Sequence, residues 1–256
     1  MSESGVQTVA EIPAGPGLSQ MERVTSIFSA PSKTFEDIKR GNKSWWLPWV
    51  ILGIFGYLFF AAVSYKVGMQ TVVDNQFRMA SEKQQEQMAK APPEQREMTA
   101  KISLYVTEGI FISGPVFVMV IAAIVSLVLW GTINFVFGGK ATFGSVFAVW
   151  FFANLPAVLK TILGIVVIFA GGTPETFNIK NYAPTNVAAF LPVMETNKAV
   201  YALANSIDIV TIWTLILMGM GIAIVAGVKR SSGYIAVFIW WAIVVLIGVG
   251  AAALQS

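Results

Sequence analysis

The sequence predicts an all-α, polytopic membrane protein with five transmembrane helices and short interfacial helices. The first observation behind this is a set of five apolar blocks, Trp46 to Ser64, Gly109 to Phe137, Phe143 to Ala170, Ile209 to Val228 and Tyr234 to Leu254. Each has the roughly 20 residues that a helix needs to cross a hydrocarbon core. The second is composition: charged residues make up 12% and hydrophobic residues 55% of the 256 positions, where a soluble domain carries about 25% charge. The third is the absence of histidine and cysteine, which removes disulfides, thiol chemistry and the commonest metal ligands. Lipid is the main solvent for this chain.

The segment before the first block divides in two. Residues 1–18, rich in small and polar residues with Pro and Gly, cannot bury a core and are expected to be a disordered tail. From Ser19 the pattern changes. Ser19 and Glu22 stand at the spacing of a capping box, in which each satisfies a free backbone amide near the other. Met21, Val24, Ile27 and Phe28 then mark one side of a short helix. Pro31 interrupts it, and a second segment brings Phe35 and Ile38 to one face. Residues 19–45 therefore read as juxtamembrane helices at the interface, with Lys33, Lys39, Arg40 and Lys43 toward headgroups; a solvated linker is the other reading. The first block begins too late and runs too long for a removable signal segment, and is expected to be an uncleaved anchor.

Between the first two blocks lie 44 residues with six basic and six acidic side chains. Helix formers dominate and Pro92–Pro93 supplies a break, which predicts a projecting helical hairpin whose second arm enters the membrane through Ile102, Leu104 and Tyr105. Its uses are a docking surface or a plain charged connector. Blocks two and three have 29 and 28 residues, over 40 Å as straight helices at about 1.5 Å per residue, and so must tilt, kink or extend beyond lipid. Pro115 falls in the second turn of its block, where a missing amide costs little; Pro156 falls mid-block and predicts a bend. Only Gly138 to Thr142 joins these two blocks, and only Lys229 to Gly233 joins the last two, so each pair is expected to be a tight antiparallel hairpin. The loop Gly171 to Asp208 begins irregularly and ends in an amphipathic stretch marked by Val200, Leu203 and Ala204, a short interfacial helix leading into span four.

Orientation follows from basic residues close to the spans. Lys39, Arg40, Lys43, Lys140, Lys229 and Arg230 lie on one side, while little beyond Lys66 flanks the other ends directly. A cytoplasmic N-terminus and an external C-terminus are expected, in a bacterial cytoplasmic membrane. Trp45, Trp46, Trp49, Trp130 and Trp150 are placed to anchor that inner face. The formal charge of +3 is scattered, which argues against a nucleic-acid partner.

Enzymatic chemistry has few parts to draw on. Without histidine, a Ser-His dyad and an HExxH zinc site are impossible, and no phosphate-binding P-loop spacing occurs. Asp37, Asp74 and Asp208 are the only aspartates, and none lies at the centre of a block, so a paired-aspartate protease is not indicated. No catalytic, cofactor-binding or metal-binding residue is assigned, and no cofactor is expected.

Four polar positions stand out instead. Lys160 is the only charge well inside an apolar block; such a residue either snorkels to the headgroups or serves an ion or substrate path. Asn134 and Asn154 suit hydrogen bonds between neighbouring spans, with solute coordination as the competing use. Asp208 opens span four, where a carboxylate caps the helix or takes a proton. Gly219, Ala223 and Gly227 form a small-residue stripe for another helix, within this chain or from a second copy.

Three stretches carry a family resemblance: SIFSAPSKTFEDIKRGNKSWWLPWVILG before and into span one; Gly114 and Pro115 with FGGKATFGSVFAVWFFANLPAVL; and FLPVMETNKAVYALANSIDIVTIWTLILMGMGIAI with Asp208, Trp213 and Gly219. Over residues 23 to about 250 the chain resembles the Yip family, five-span proteins named for interaction with Ypt/Rab GTPases, and its bacterial-type members in particular. The resemblance implies five helices, a cytoplasmic N-terminus and no enzymatic centre. The acidic DLYGP-type segment of eukaryotic members is missing before span one, which argues against a Rab-type GTPase partner. The expected function is non-enzymatic: binding or organising partners in the bilayer, including self-association through helix faces. The alternative is a small transporter or channel component, for which Pro156, Asn154 and Lys160 are the nearest approach to a mid-membrane site.

Overall fold

The computed structural model of the chain describes residues 17–254; the expected disordered tail lies almost wholly outside them. Among the described residues five helical segments are long and apolar enough to cross a membrane: Trp46–Lys66, Gly114–Val136, Phe143–Phe169, Ile209–Ala226 and Arg230–Ala253. They match the five apolar blocks with shifted ends. The loops Gly138–Thr142 and Gly227–Lys229 meet at one end, where the Lys140 amide donates to the Ala226 carbonyl. That end is called proximal here, and the end bearing the 171–208 loop is called distal.

Helices α1 (Gln20–Ser29) and α2 (Pro31–Lys39) form a hairpin at the N-terminus. The Ser19–Glu22 capping box is formed, and Pro31 is the first residue of α2, where its missing amide is harmless. Much of the apolar side of this hairpin is turned on the protein, while Met21 and Phe28 stay exposed. Ile27, Phe35 and Ile38 are fully buried in the main core with Val149, Phe152 and Ile222. Lys33, Lys39, Arg40 and Lys43 all stay exposed.

What locks the hairpin down is a buried arginine. Arg23 is wholly inaccessible and its Nε lies 3.4 Å from Asp37 Oδ2. Its two terminal nitrogens donate to the carbonyls of Ser44 and Asn42 and to Asn42 Oδ1, at 2.8–3.2 Å. The guanidinium also stacks 4.3 Å from the Phe152 ring. Asp37 in turn accepts from the Asn42 side chain and the Leu18 amide, and Thr34 donates to the Arg23 carbonyl. Burial draws the arginine down to about 10, against the pull of Asp37, so it stays charged at neutral pH. One side chain thereby ties α1, α2 and the lead into span one to the core.

Span one, α3 (Trp46–Lys66), packs on the distal half of span three. After it, α4 (Met69–Arg78), α5 (Glu82–Lys90) and α6 (Pro93–Ile112) form the arm. The expected two-helix hairpin is thus three helices, with the break at Pro92–Pro93 in place. Its first helix does not project freely, because Met69 and Val72 join Phe59, Val63 and Ile168 in a second buried cluster. The arm runs into α7 (Gly114–Gly131) with a break at Ser113. There Pro115 lacks an amide, and the Ile112 carbonyl loses its usual partner because the Val116 amide bonds Ser113 instead. Tyr57 donates to that carbonyl at 2.8 Å, and the Trp49 indole to the Pro115 carbonyl at 3.1 Å. Span two ends in a π-helical turn, Thr132–Val136.

Span three is α8 (Phe143–Ala153) and α9 (Ala157–Phe169), broken where the sequence places Pro156. Spans four and five, α11 (Ile209–Ala226) and α12 (Arg230–Ala253), cross so closely that a methyl at Gly219 would meet the Tyr234 side chain and one at Gly233 would meet Ala223. The small-residue stripe therefore packs within the chain. Gly227 is not part of that contact: at φ 69° it ends α11 in the left-handed conformation that glycine adopts without strain.

Replacing Arg23 by methionine keeps an unbranched apolar stem, removes the guanidinium and leaves the Asp37 carboxylate without its cation. The expected loss is about 3–5 kcal/mol of stability, the usual cost of breaking a buried pair from one side. Thermal unfolding of the purified variant measures it, and limited proteolysis should cut between α1 and α3 before any other site. An unchanged midpoint with a protected hairpin would contradict this role.

Candidate functional site

The loop between spans three and four does not stay at the distal surface. The Tyr182 ring lies 4.5 Å from that of Phe59, which stands about 20 Å along α3 at 1.5 Å per residue, and it also packs on Gly164 of α9. The loop therefore turns back into the bundle, level with the second half of span one. Irregular backbone is tolerated at such depth only where protein covers it, and Ala183, Asn186 and Ala188 are all nearly inaccessible.

The charge that this loop covers is the Lys160–Asp208 pair. Lys160 Nζ donates to Asp208 Oδ2 at 2.8 Å, and the Thr185 hydroxyl donates to the same oxygen at 2.6 Å. The other oxygen takes the Thr211 amide at 2.9 Å, so Asp208 caps α11. Backbone bonds from Val187 to Ile207 and from Ile209 to Thr185 clamp the loop against the start of α11. Lys160 also lies 5.6 Å from the Tyr182 ring centre. Its side chain is 22% exposed and that of Asp208 is 2% exposed. Burial pushes the Asp208 carboxyl up, but the bonds from Lys160, Thr185 and the Thr211 amide outweigh it and hold the group below the usual carboxylate range. Asp208 is therefore a carboxylate at neutral pH, facing the Lys160 side chain.

This arrangement differs from a snorkelling lysine. A long, flexible ammonium 17 residues into block three is within reach of headgroups, but the structure brings a buried carboxylate closer. The sequence pointed to both residues separately; 48 positions separate them, and nothing in the apolar pattern joins them. Thr185 and Tyr182, which complete the site, lie in a loop with no periodicity to read.

The two asparagines do other work. Asn134 makes a two-way clasp with the Ala141 peptide at 2.9 Å in each direction, and the Trp130 indole bonds the same carbonyl. It thus closes the tight turn between spans two and three. Asn154 donates to Trp150 of its own helix at 2.8 Å and so caps α8 at the break instead of reaching a neighbouring span. Arg23, wholly buried, carries no legible signal in the sequence: it falls outside the side of α1 marked by Met21, Val24, Ile27 and Phe28.

Among the described residues no three His, Cys, Asp or Glu side chains are grouped as a metal site. Farther out, the loop is held by amides: Asn75 donates to the Pro174 and Phe177 carbonyls, Asn186 to Asn181, and Asn181 to the Tyr201 hydroxyl. Lys198 of α10 (Lys198–Ser206) reaches the Met79 carbonyl of the arm at 3.0 Å.

No curated protein and no solved structure matches the chain. A family model described as the Yip1 domain matches residues 25–252, from within α1 to the last turn of α12. The matched region takes in all five spans, most of the N-terminal hairpin and the clamped distal loop, and the chain is a multi-pass membrane protein belonging to the Yip family.

Proposed function

We propose that the chain is a non-enzymatic protein that binds or organises partners within the bilayer. The observation that carries this reading is where the polar groups go. Lys160, Asp208, Asn134, Asn154, Trp49 and Tyr57 are each engaged by bonds inside the chain, so their role is to hold spans and turns in place. What the spans leave for other molecules is surface. The outer faces of α7 and α12 expose Val116, Ile124, Leu127, Val244, Leu246 and Ile247, and only 11% of span five is buried within the protein. A span so uncovered contacts lipid along most of its length or takes a further helix from another protein or a second copy.

A transporter or channel component is the second reading, and one feature favours it. Span three is broken at Asn154–Pro156 and the next loop re-enters beside it, which is how many transporters bring polar groups to mid-membrane. The two readings separate in one two-part experiment. Photocrosslinkers on α12 in native membranes should capture defined protein partners, and vesicles reconstituted with the purified protein should take up no member of a broad solute panel. Saturable uptake that Lys160→Met abolishes would establish transport and overturn the proposal.

The orientation belongs to the same proposal. Lys140, Lys229 and Arg230 share the proximal end, and Lys39, Arg40 and Lys43 lie beside the start of span one. With the proximal end facing the cytoplasm of a bacterial cell, five crossings of the cytoplasmic membrane leave the C-terminus outside. A reporter fused after Ser256 is expected to register the external side; a cytoplasmic signal refutes this topology.

A further inference from the structure

A second feature stands apart from the spans. At the distal end a cavity of about 590 Å³ opens between the arm, the Phe177–Lys180 segment and α10, within the range of roughly 300–1,000 Å³ typical of small-molecule sites. Its walls carry two cations, Lys180 and Lys198, and no carboxylate. Lys198 is held in place by one bond to the Met79 carbonyl, which leaves two of its three N–H groups for a ligand. The turn that carries Lys180 is pinned by its own amide, which donates to Asn178 Oδ1 at 3.0 Å. Gln84, Gln87 and Gln95 bring primary amides from α5 and α6, and Thr99, Ser103 and Tyr201 bring hydroxyls. Val72, Val73 and Phe77 supply an apolar wall.

We infer that this cavity binds a phosphate ester of a small polyol, of the glycerophosphate type. Two ammonium groups without an opposing carboxylate select an anion. The Gln87 and Gln95 amides, able to donate and accept, suit vicinal alcohols, and the apolar wall accommodates the carbon skeleton between them. The same chemistry is presented by a phospholipid headgroup and by a free polyol phosphate. Ala252, in the last turn of span five, lines the cavity, so the cavity lies beside the end of a membrane span, where both sources are at hand.

The test uses the full chain in phosphatidylcholine nanodiscs, titrated calorimetrically with sn-glycerol 3-phosphate and with dihexanoyl phosphatidylglycerol. Saturable binding of at least one is expected. Combining Lys180→Gln with Gln87→Leu should weaken it at least about thirtyfold, the loss of one charge-assisted and one neutral hydrogen bond. Gln95→Leu, which removes one amide of the cavity wall, is the second variant, and a weakening of a few fold is expected. Lys90→Gln with Lys101→Gln, exposed lysines of the same arm outside the cavity, should leave binding unchanged. Tighter binding of the lipid identifies a headgroup site, and equal or tighter binding of the free ester identifies a soluble ligand. Absence of saturable binding by both, or equal weakening by the Lys90 and Lys101 pair, overturns the inference. The titration reads this cavity alone, so its failure leaves the partner-binding proposal standing.

Discussion

A polar group carried into lipid has no water to fall back on and must find its partner within the chain. That constraint accounts for the irregular features of this fold. The Lys160 ammonium would be costly inside span three, and the distal loop turns back to bring Thr185 and Asp208 to it. The same carboxylate caps α11, so one group neutralises a lysine, starts a span and fastens a loop. If the carboxylate were lost, the ammonium, the helix end and the loop clamp would be left unsatisfied together.

The broken helices obey the same rule. A proline in a span frees a carbonyl as well as removing an amide, and around the α6–α7 break a Tyr57 hydroxyl and a Trp49 indole bond the exposed carbonyls. At the proximal turn Trp130 and Asn134 do likewise for Ala141. Tryptophans that composition alone assigns to the interface are therefore also donors that close backbone gaps. Trp240 adds a bond to Thr132 at the π-helical turn. The N-terminal hairpin is a further case, since Arg23 answers carbonyls of the segment that leads into span one. Its charge is shared between Asp37, the backbone and the Phe152 ring, which is what makes complete burial of a guanidinium tolerable.

Much of this was legible in the sequence, for a physical reason: apolar length and the position of proline are local properties. The five spans, the two tight hairpins, the Ser19 capping box and the break at Pro156 are written in consecutive residues. The small-residue contact of Gly219 and Ala223 was legible too, because close packing requires small side chains. Pairings across the chain were not. Lys160 reads as a lone charge until the loop places Asp208 beside it, and Asn154 reads as an interhelical donor until the break turns it back on Trp150. Nothing local sets Arg23 apart in the sequence. Its burial depends on Asp37 of α2, the segment leading into span one and Phe152 of α8 closing around α1, and no short window of sequence contains them all.

The central claim is that the intramembrane charges are fasteners rather than a working site. The most direct measurement is a double-mutant cycle on Lys160→Met, Asp208→Asn and their combination, read by reversible unfolding of the purified protein in a fixed lipid or detergent environment. A fastening pair should give a coupling energy of about 2 kcal/mol, reduced from a fully buried pair by the partial exposure of the lysine, with the double variant recovering much of the stability lost by either single change. Additive losses, with no coupling between the two positions, would contradict the account.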